Sequence, residues 1–314
     1  MGILTHTFIC GLLAATVRVA APLLLAALGS VFTAKAGIVN LALEGTMLLG
    51  AFAGYYGSYF TGSVWGGILF AIAGGIAMQL LLAFFSVTVG ANQSVAGTGI
   101  NMFSLGLTTY LLTVMFGISG RPSIVASFKK IKIPFLSQIP YVGTIFFDHQ
   151  LLVYLAYLCV PVCWYVLFKT PFGLKVRAVG EHPKAVDIAG GSVVKIRYTC
   201  CVIAGVLAGI GGAYLSIGEL ASFTENLTSG RGYIAVAAVT FGKWNPIGVM
   251  VACLLFGFTD ALQMRLQSEG VSIPPQFLLM LPYLITMIAM VVVVGKTKAP
   301  ASMGKPYVKH DSRN

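Results

Sequence analysis

Polar and charged side chains inside long apolar runs are the residues of this sequence best placed for chemistry. A charge at the middle of a bilayer costs about 2.5–3.5 kcal/mol on insertion scales, so a residue kept there has a functional or a pairing role. The candidates of this kind are Arg18, Asn40, Glu44, Asn101, Glu219, Arg231, Asp260 and Gln263. Each could instead fix helix register by pairing with another side chain or with the backbone, and Arg18 and Asp260 are the best suited to an ion pair.

Asn40 and Glu44 form the most informative pair, because a spacing of four predicts that they share one helix face. Their segment, 37–60, is apolar and interrupted by glycine, as are the elements that line substrate paths in transporters. Segment 219–232, which holds Glu219, Asn226 and Arg231, is the expected counterpart in the second half of the chain.

Composition places these residues in a membrane protein. Of the 314 residues, 57% are hydrophobic and only 9% are charged, with a mean hydropathy of +0.89. Soluble domains carry roughly 25% charged residues, so a soluble enzyme is excluded. The net charge of +11 comes from basic residues that lie between apolar runs, which favours membrane orientation over binding to nucleic acid.

Apolar runs of about 20 residues predict an all-α, polytopic helical bundle, because that length crosses the hydrocarbon core. The predicted spans are 8–32, 37–60, 63–89, 93–118, 150–168, 198–218, 246–266 and 277–295. We expect eight to ten membrane helices within one transmembrane domain, 1–314. A break of span 37–60 at Gly45 or Gly50 would supply the tenth crossing.

Basic residues in segment 169–197 and after residue 295 predict that both segments are cytoplasmic. Only three clear spans separate them, so a fourth crossing is required. The short apolar stretch 231–244 is the candidate, as a short or broken membrane helix. Counting backwards then places loop 119–149 and the N-terminus outside, with nine crossings.

Segment 173–197 holds a second kind of feature, a short capped helix. Pro183 suits a first helical turn and Gly190-Gly191 suits the end, with Ala185, Val186 and Ala189 on one face. So short a helix is marginal alone in water. It would be stable packed on its own bundle or docked in a groove of a soluble cytoplasmic partner.

Catalytic motifs are missing from the sequence. Gly295-Lys296-Thr297 imitates the end of a phosphate-binding loop, but Met290 stands at the first glycine and no strand precedes it. We therefore expect no enzyme activity, no metal and no cofactor bound by this chain. Glycine spacings such as Gly205-x3-Gly209 and Gly50-x3-Gly54 predict close helix packing, within the subunit or at a dimer interface.

Two sequence stretches resemble one family of transporters. Residues 36–45, AGIVNLALEG, are similar to the signature of the simple-sugar and nucleoside branch of ABC importer permeases. Residues 230–235 and 242–246 also fit that branch, and 173–197 resembles its ATPase-coupling loop. Branched-chain amino-acid permeases show a related pattern, from which this chain departs at Leu41 and Glu44. The wording of the first stretch is most like the smaller permease of nucleoside importers.

The resemblance implies a type II importer fold in a bacterial cell membrane, with import of nucleosides powered by ATP that a partner ATPase subunit uses. It implies a second, different permease chain and a substrate-binding lipoprotein as further partners. The implied path residues are Asn40, Glu44, Asn101, Glu219, Asn226 and Arg231. The implied ATPase-coupling residues are Gly180, Glu181, Pro183, Ala185, Val186, Ala189 and Gly190. Alternatives are a ribose or galactose permease, a branched-chain amino-acid permease, a carrier without ATPases, and a membrane-embedded enzyme.

Overall fold

The computed structural model describes residues 6–117, 122–132, 142–268 and 299–307, together with the isolated positions 280, 284 and 287. Among these residues the secondary structure is helical apart from one two-stranded hairpin. The helices are α1 (His6–Lys35), α2 (Leu43–Thr61), α3 (Val64–Ala83), α4 (Gln93–Phe116), α5 (Val142–Phe146), α6 (Leu151–Lys169), α7 (Pro171–Glu181), α8 (Pro183–Ile188), α9 (Val193–Ala213), α10 (Arg231–Phe241) and α11 (Pro246–Ser268). The strands β1 (Lys130–Lys132) and β2 (Asp148–Gln150) pair antiparallel.

Two helices continue into π-helical turns, α3 through Phe84–Thr88 and α9 through Tyr214–Leu220. Including these turns, six of the described helices are long and apolar enough to cross a membrane. They are Phe8–Lys35, Val64–Thr88, Gln93–Phe116, Leu151–Lys169, Val193–Leu220 and Pro246–Ser268. Six of the predicted spans are thus confirmed as long apolar helices. In the predicted span 37–60 the helix is the shorter α2, and the predicted span 277–295 lies outside the continuously described residues.

Glycines bring α9 into backbone contact with its neighbours. A Cβ on Gly50 would lie 2.7 Å from the Cα of Gly209, and a Cβ on Gly205 would lie 2.7 Å from the carbonyl oxygen of Gly75. Small residues allow this close approach between membrane helices. The predicted glycine spacings therefore serve packing within the subunit, where α9 and α1 form the buried centre of the bundle.

Three expectations about local structure are wrong. The α2 helix runs unbroken through Gly45 and Gly50, and the break comes earlier, at residues 36–42. Asn40 therefore precedes the helix and does not share a helical face with Glu44. Segment 173–197 is not a loop around one helix, since it contains most of α7, all of α8 and the first turn of α9.

The two basic segments lie at the same end of the bundle, as the charge pattern predicts. Ser302 donates its backbone N–H to the carbonyl of Gly180 at 2.9 Å, and the hydroxyl of Tyr307 donates to the Asp187 carboxylate at 3.0 Å. Residues 122–132 contact the far end of α2 instead, where Tyr55 and Ser58 donate to the carbonyls of Ser123 and Ala126.

Candidate functional site

The first part of the site is the break between α1 and α2, residues 36–42. It begins at Gly37, whose φ of +84° suits glycine and whose Cβ position lies 2.5 Å from the Ser302 hydroxyl oxygen. The segment then climbs along α4: Gln93 accepts from the Val39 N–H at 2.7 Å, and Asn101 accepts from the Gly45 N–H at 2.8 Å. These two α4 residues are about 12 Å apart along the helix axis. The α2 helix therefore begins inside the bundle.

Side-chain amides take the place of the missing helical hydrogen bonds in this break. Asn40 and Gln79 exchange two hydrogen bonds of 3.1 Å, and Gln79 also donates to the Thr46 hydroxyl. Asn101 donates to the Leu41 carbonyl at 2.8 Å. Buried polar groups need such partners, because an unpaired one costs about 1–3 kcal/mol. The upper part of the first break, from Val39 to Leu41, is thus held by neutral side-chain amides.

The second break lies between α9 and α10, after the π-helical turn that ends at Leu220. Positive φ angles occur at Ala221, Asn226, Ser229 and Gly230, and the first three of these are not glycine. The irregular segment leads into α10, which at 11 residues is about 16 Å long, half the thickness of a bilayer core. The structure therefore has the short helix predicted for 231–244, ending at Phe241.

Glu44 joins the two breaks. Its carboxylate accepts from the Thr228 hydroxyl at 2.5 Å, the Gly230 N–H at 2.8 Å and the Gly232 N–H at 2.6 Å. The side chain is only 7% exposed. The N-terminus of a helix carries partial positive charge and unpaired N–H groups, which favour a carboxylate. Glu44, in the first turn of α2, therefore caps α10.

Gly232 makes this junction sterically possible. A Cβ at this position would collide with the backbone N and Cα of Glu44. The Asn101 amide donates at 2.9 Å to the hydroxyl of Tyr233, the next residue in α10. Together these contacts form one buried unit, called the joint below: Glu44, Asn101, Thr228, Gly230 and Gly232.

The six predicted path residues fall into separate places. Glu44 and Asn101 belong to the joint, and Asn40 lies just below it in the first break. Glu219 is exposed and lies away from the joint, where it lines a cavity of about 620 Å³ together with Arg18 and Tyr214. Arg231 starts α10 within electrostatic range of Tyr214 and Asp260. Asn226 is exposed at its positive-φ position, and its carbonyl accepts from Ser229.

His149, like Tyr214, is a buried titratable group on the wall of that 620 Å³ cavity. Burial lowers its pKa below the usual 6.5, so the ring is neutral at pH 7. Its Nε2 lies 2.8 Å from the Ile145 carbonyl oxygen, which requires the proton on Nε2. The ring therefore ties β2 to the end of α5 and adds no charge to the cavity.

The second candidate region is the corner between α7 and α8. As predicted, Pro183 occupies the first turn of α8 and Gly190 follows its end with a φ of +80°. Gly180 is buried, and a Cβ there would collide with the Lys35 carbonyl oxygen at the end of α1. The Glu181 carboxylate accepts weakly from the Ala301 N–H at 3.4 Å.

The apolar residues of α8 do not behave as one face. Val186 is half-buried and packs on the protein's own core, whereas Ala185 and Ala189 are exposed. Ile188 is 88% exposed, more than any other large hydrophobic side chain of the described residues. Two of the three predicted contact residues are thus free to meet another surface, and Ile188 joins them.

Sequence reasoning missed several members of both regions. Gln79 and Gln93 are amides in or beside apolar runs, so the criterion that selected Asn101 could have found them. Ile188 lies in the predicted helix, but the prediction selected the neighbouring Ala185, Val186 and Ala189 and left Ile188 out. Thr228 carried no signal, and Gly232 stood out only as part of the stretch 230–235, because the contacts of both depend on Glu44, which is distant in sequence.

Comparisons with known proteins agree on one family. The pattern of the family described as the permease component of a branched-chain amino acid transport system matches residues 12–293. The chain is 40% identical to the guanosine ABC transporter permease protein NupQ of Bacillus subtilis, covering 94% of this chain and 95% of the relative. It is 39% identical to the nucleoside ABC transporter permease protein NupC of Lactococcus lactis, covering 92% and 93%.

The chain is also similar to a sugar permease in sequence and to a solved transporter in structure. The chain is 39% identical to the putative glucose ABC transporter permease protein TsgC13 of Haloferax volcanii, covering 86% of this chain and 82% of the relative. An inward-facing structure of a putative metal-chelate type ABC transporter matches with a TM-score of 0.51 at 17% identity, covering 92% of this chain and 87% of that one. At that identity the match shows the fold alone.

Proposed function

Since the chain belongs to the family of branched-chain amino acid transport system permease components, we propose that it is the permease subunit of an ATP-driven importer of nucleosides. The observation that carries the proposal is the similarity to the guanosine and nucleoside permeases over more than nine-tenths of each chain. The six long apolar helices make it a multi-pass membrane protein, and we place it in the bacterial cell membrane.

The chemistry of the joint supports an uncharged, polar substrate. The Glu44 carboxylate is already engaged by a hydroxyl and two backbone N–H groups, so it does not offer a free charge to a cation. The surrounding groups are amides and hydroxyls, which can exchange hydrogen bonds with ribose hydroxyls or with the edges of a base. A nucleoside presents both.

A hexose is the second candidate substrate, because the same amides suit sugar hydroxyls and the putative glucose permease is also 39% identical. The two candidates differ in the base. Uptake assays with both kinds of substrate therefore decide between them.

We propose three partners for the chain. An ATPase subunit would seat α8, whose exposed Ile188, Ala185 and Ala189 have no packing within the described part of the subunit to explain them. A second, different permease would complete the membrane pathway, and a substrate-binding lipoprotein would deliver the nucleoside from outside. This chain needs no cofactor of its own, because the partner ATPase uses the ATP.

The transport cycle follows from this arrangement. ATP-driven closure of the ATPases moves α8, and the permeases alternate between outward-open and inward-open states. The short helix α10 and the first turn of α2 meet inside the bundle, so a shift of either one changes the lining of the path at the joint.

Uptake by the complete transporter tests the proposed substrate. The four components are reconstituted in proteoliposomes and given radiolabelled guanosine, uridine or glucose, with ATP or with a non-hydrolysable analogue inside. We expect ATP-dependent uptake of the nucleosides at least tenfold above that of glucose. Uptake of glucose alone would support the second candidate, and uptake without ATP would refute the importer.

A charge on α8 tests the ATPase contact. Ile188→Asp or Ala185→Asp should insert normally, since both side chains are exposed in the subunit itself. Each would bury an unpaired charge in the contact with the ATPase, at a cost of several kcal/mol. We expect the purified complex to lose most of its ATPase subunit. Ile188→Val is the matched control and should retain it, and full retention with Ile188→Asp would move the contact elsewhere.

A further inference from the structure

Residues 299–307, called the strap below, run across the end of the bundle that carries α8. The strap contacts the corner between α7 and α8 through the buried residue Ser302. The Ser302 hydroxyl donates to the Gly180 carbonyl at 2.6 Å, and the Ser302 N–H donates to the same oxygen at 2.9 Å. Tyr307 at its far end donates to Asp187 of α8 at 3.0 Å. The strap is thus attached to the helix that we assign to the ATPase contact.

The same strap also holds the lower end of the first break. The Gly304 N–H donates to the Gly37 carbonyl at 3.1 Å. The absence of a side chain on Gly37 lets Ser302 approach, since a Cβ there would lie 2.5 Å from the serine hydroxyl oxygen. The strap therefore lies between α8 and the segment that leads up to Glu44.

Arg197, in the first turns of α9, is a buried residue that contacts both the first break and the strap. Its side chain has no exposed surface. The Nε donates to the Ala36 carbonyl at 3.2 Å, and one terminal nitrogen donates to the Lys305 carbonyl at 3.5 Å. The other, Nη2, finds no acceptor among the described residues and lies 3.1 Å from the Cβ position of Gly37. One guanidinium thus bridges the break and the strap.

We infer that Arg197 is a positioning residue that couples α8 to the joint through the strap and residues 36–42. The proposal rests on the proposed function, because it needs α8 to be the ATPase contact. Arginine suits the role, since its planar fork presents several donors in fixed directions and stays charged when buried. A displacement of α8 would then pull on the strap, move Gly37 and Ala36, and reach Glu44 at the top of the break.

The test is the number of nucleosides transported per ATP hydrolysed by the reconstituted transporter. Arg197→Met keeps the length of the side chain but loses its charge and donors. We expect at least a fivefold fall in this ratio, with the ATPase subunits still bound and ATP hydrolysis within twofold of the wild type. Arg197→Lys, which keeps the charge without the fork, should fall less.

Lys305→Ala is the matched control, because it removes a charge from the strap and keeps the carbonyl that Arg197 uses. It should leave the ratio unchanged. An unchanged ratio in Arg197→Met would overturn the proposal, and so would a loss of bound ATPase in parallel with transport, which a merely structural role predicts. If Arg197→Met does not fold, Ser302→Ala replaces it: a twofold or larger fall in the ratio supports the coupling, and no change refutes it.

Hydrogen exchange separates this proposal from the proposed function. Peptides covering residues 36–42 should exchange at least fivefold faster in Arg197→Met than in the wild type, whatever the substrate is. If the wild type moves no nucleoside, the proposed function fails. If exchange in 36–42 is equal in the two proteins, the coupling role of Arg197 fails.

Discussion

The two breaks in the membrane helices are held in different ways, although they meet at one carboxylate. The first, residues 36–42, is held by amide side chains from α3 and α4, among them Gln79 and Asn101. The second, between α9 and α10, receives one amide hydrogen bond, from Gln150 to the Gly218 carbonyl just before it, and depends on Glu44 for three. In the first break several neutral amides share the hydrogen bonds with Arg197 at its lower end, whereas in the second break one carboxylate accepts three of them.

This difference has a consequence for function. A break held by many separate contacts loses a fraction of its stabilisation when one is removed. A helix N-terminus capped by one buried carboxylate loses hydrogen bonds worth about 1.5–3 kcal/mol each, together with a favourable interaction with the helix dipole. The second break should therefore be the more sensitive of the two.

Gly232→Ala should have the largest effect, because it forces α10 away from the Glu44 backbone that it touches. We expect nucleoside uptake to fall more than 30-fold. The measurement is uptake by the complete transporter, normalised to the amount of assembled complex. Gly99→Ala is the control, since a Cβ there meets nothing within 4 Å. Equal uptake in the two variants would show that the joint tolerates separation.

Glu44→Gln should have the next largest effect. The amide keeps one acceptor oxygen but turns an N–H₂ group towards the backbone donors of α10 and removes the negative charge. We expect at least a tenfold fall in uptake with membrane assembly intact. Glu44→Asp keeps the charge on a shorter side chain and should recover part of the loss. Uptake at the wild-type rate in Glu44→Gln would show that transport does not need the negative charge of Glu44.

Asn101→Leu should have the smallest effect of the three. It leaves the buried Gly45 N–H and the Leu41 carbonyl unpaired, but Gln79 and Gln93 still hold the rest of the first break. We expect a three- to tenfold fall in uptake, and a smaller fall for Thr113→Val further along α4. If Asn101→Leu reduced uptake more than Glu44→Gln, the first break would be the more sensitive one.

The sequence predicted the architecture well because membrane helices follow from length and hydropathy alone. The short helix α10 was found by counting crossings, and α8 by its proline and glycine pair. The place of the first break was missed, since a seven-residue unwound segment inside an apolar run looks like helix. Asn40 illustrates this, because its spacing from Glu44 predicted a shared face that does not exist.

The site was predicted only in part, because its members come from distant segments. Glu44 was chosen as a charge in an apolar run, but its partners Thr228 and Gly232 lie far along the chain. Nothing local marks Thr228, and the stretch 230–235 that holds Gly232 does not show that a carboxylate packs against it. The contact between the strap and the end of α7 is similar, since nothing in the sequence links Ser302 to Gly180 before the fold brings them together.

A double-mutant cycle on nucleoside uptake tests most directly whether the two breaks act as one unit through Glu44. Thr228→Val removes the hydroxyl that donates to the Glu44 carboxylate, and Glu44→Gln removes the negative charge of the group that accepts this hydrogen bond. Thr228→Val should lower uptake at least threefold in the wild-type background and less than twofold in the Glu44→Gln background. Independent effects, with the two factors multiplying in the double variant, would contradict the account.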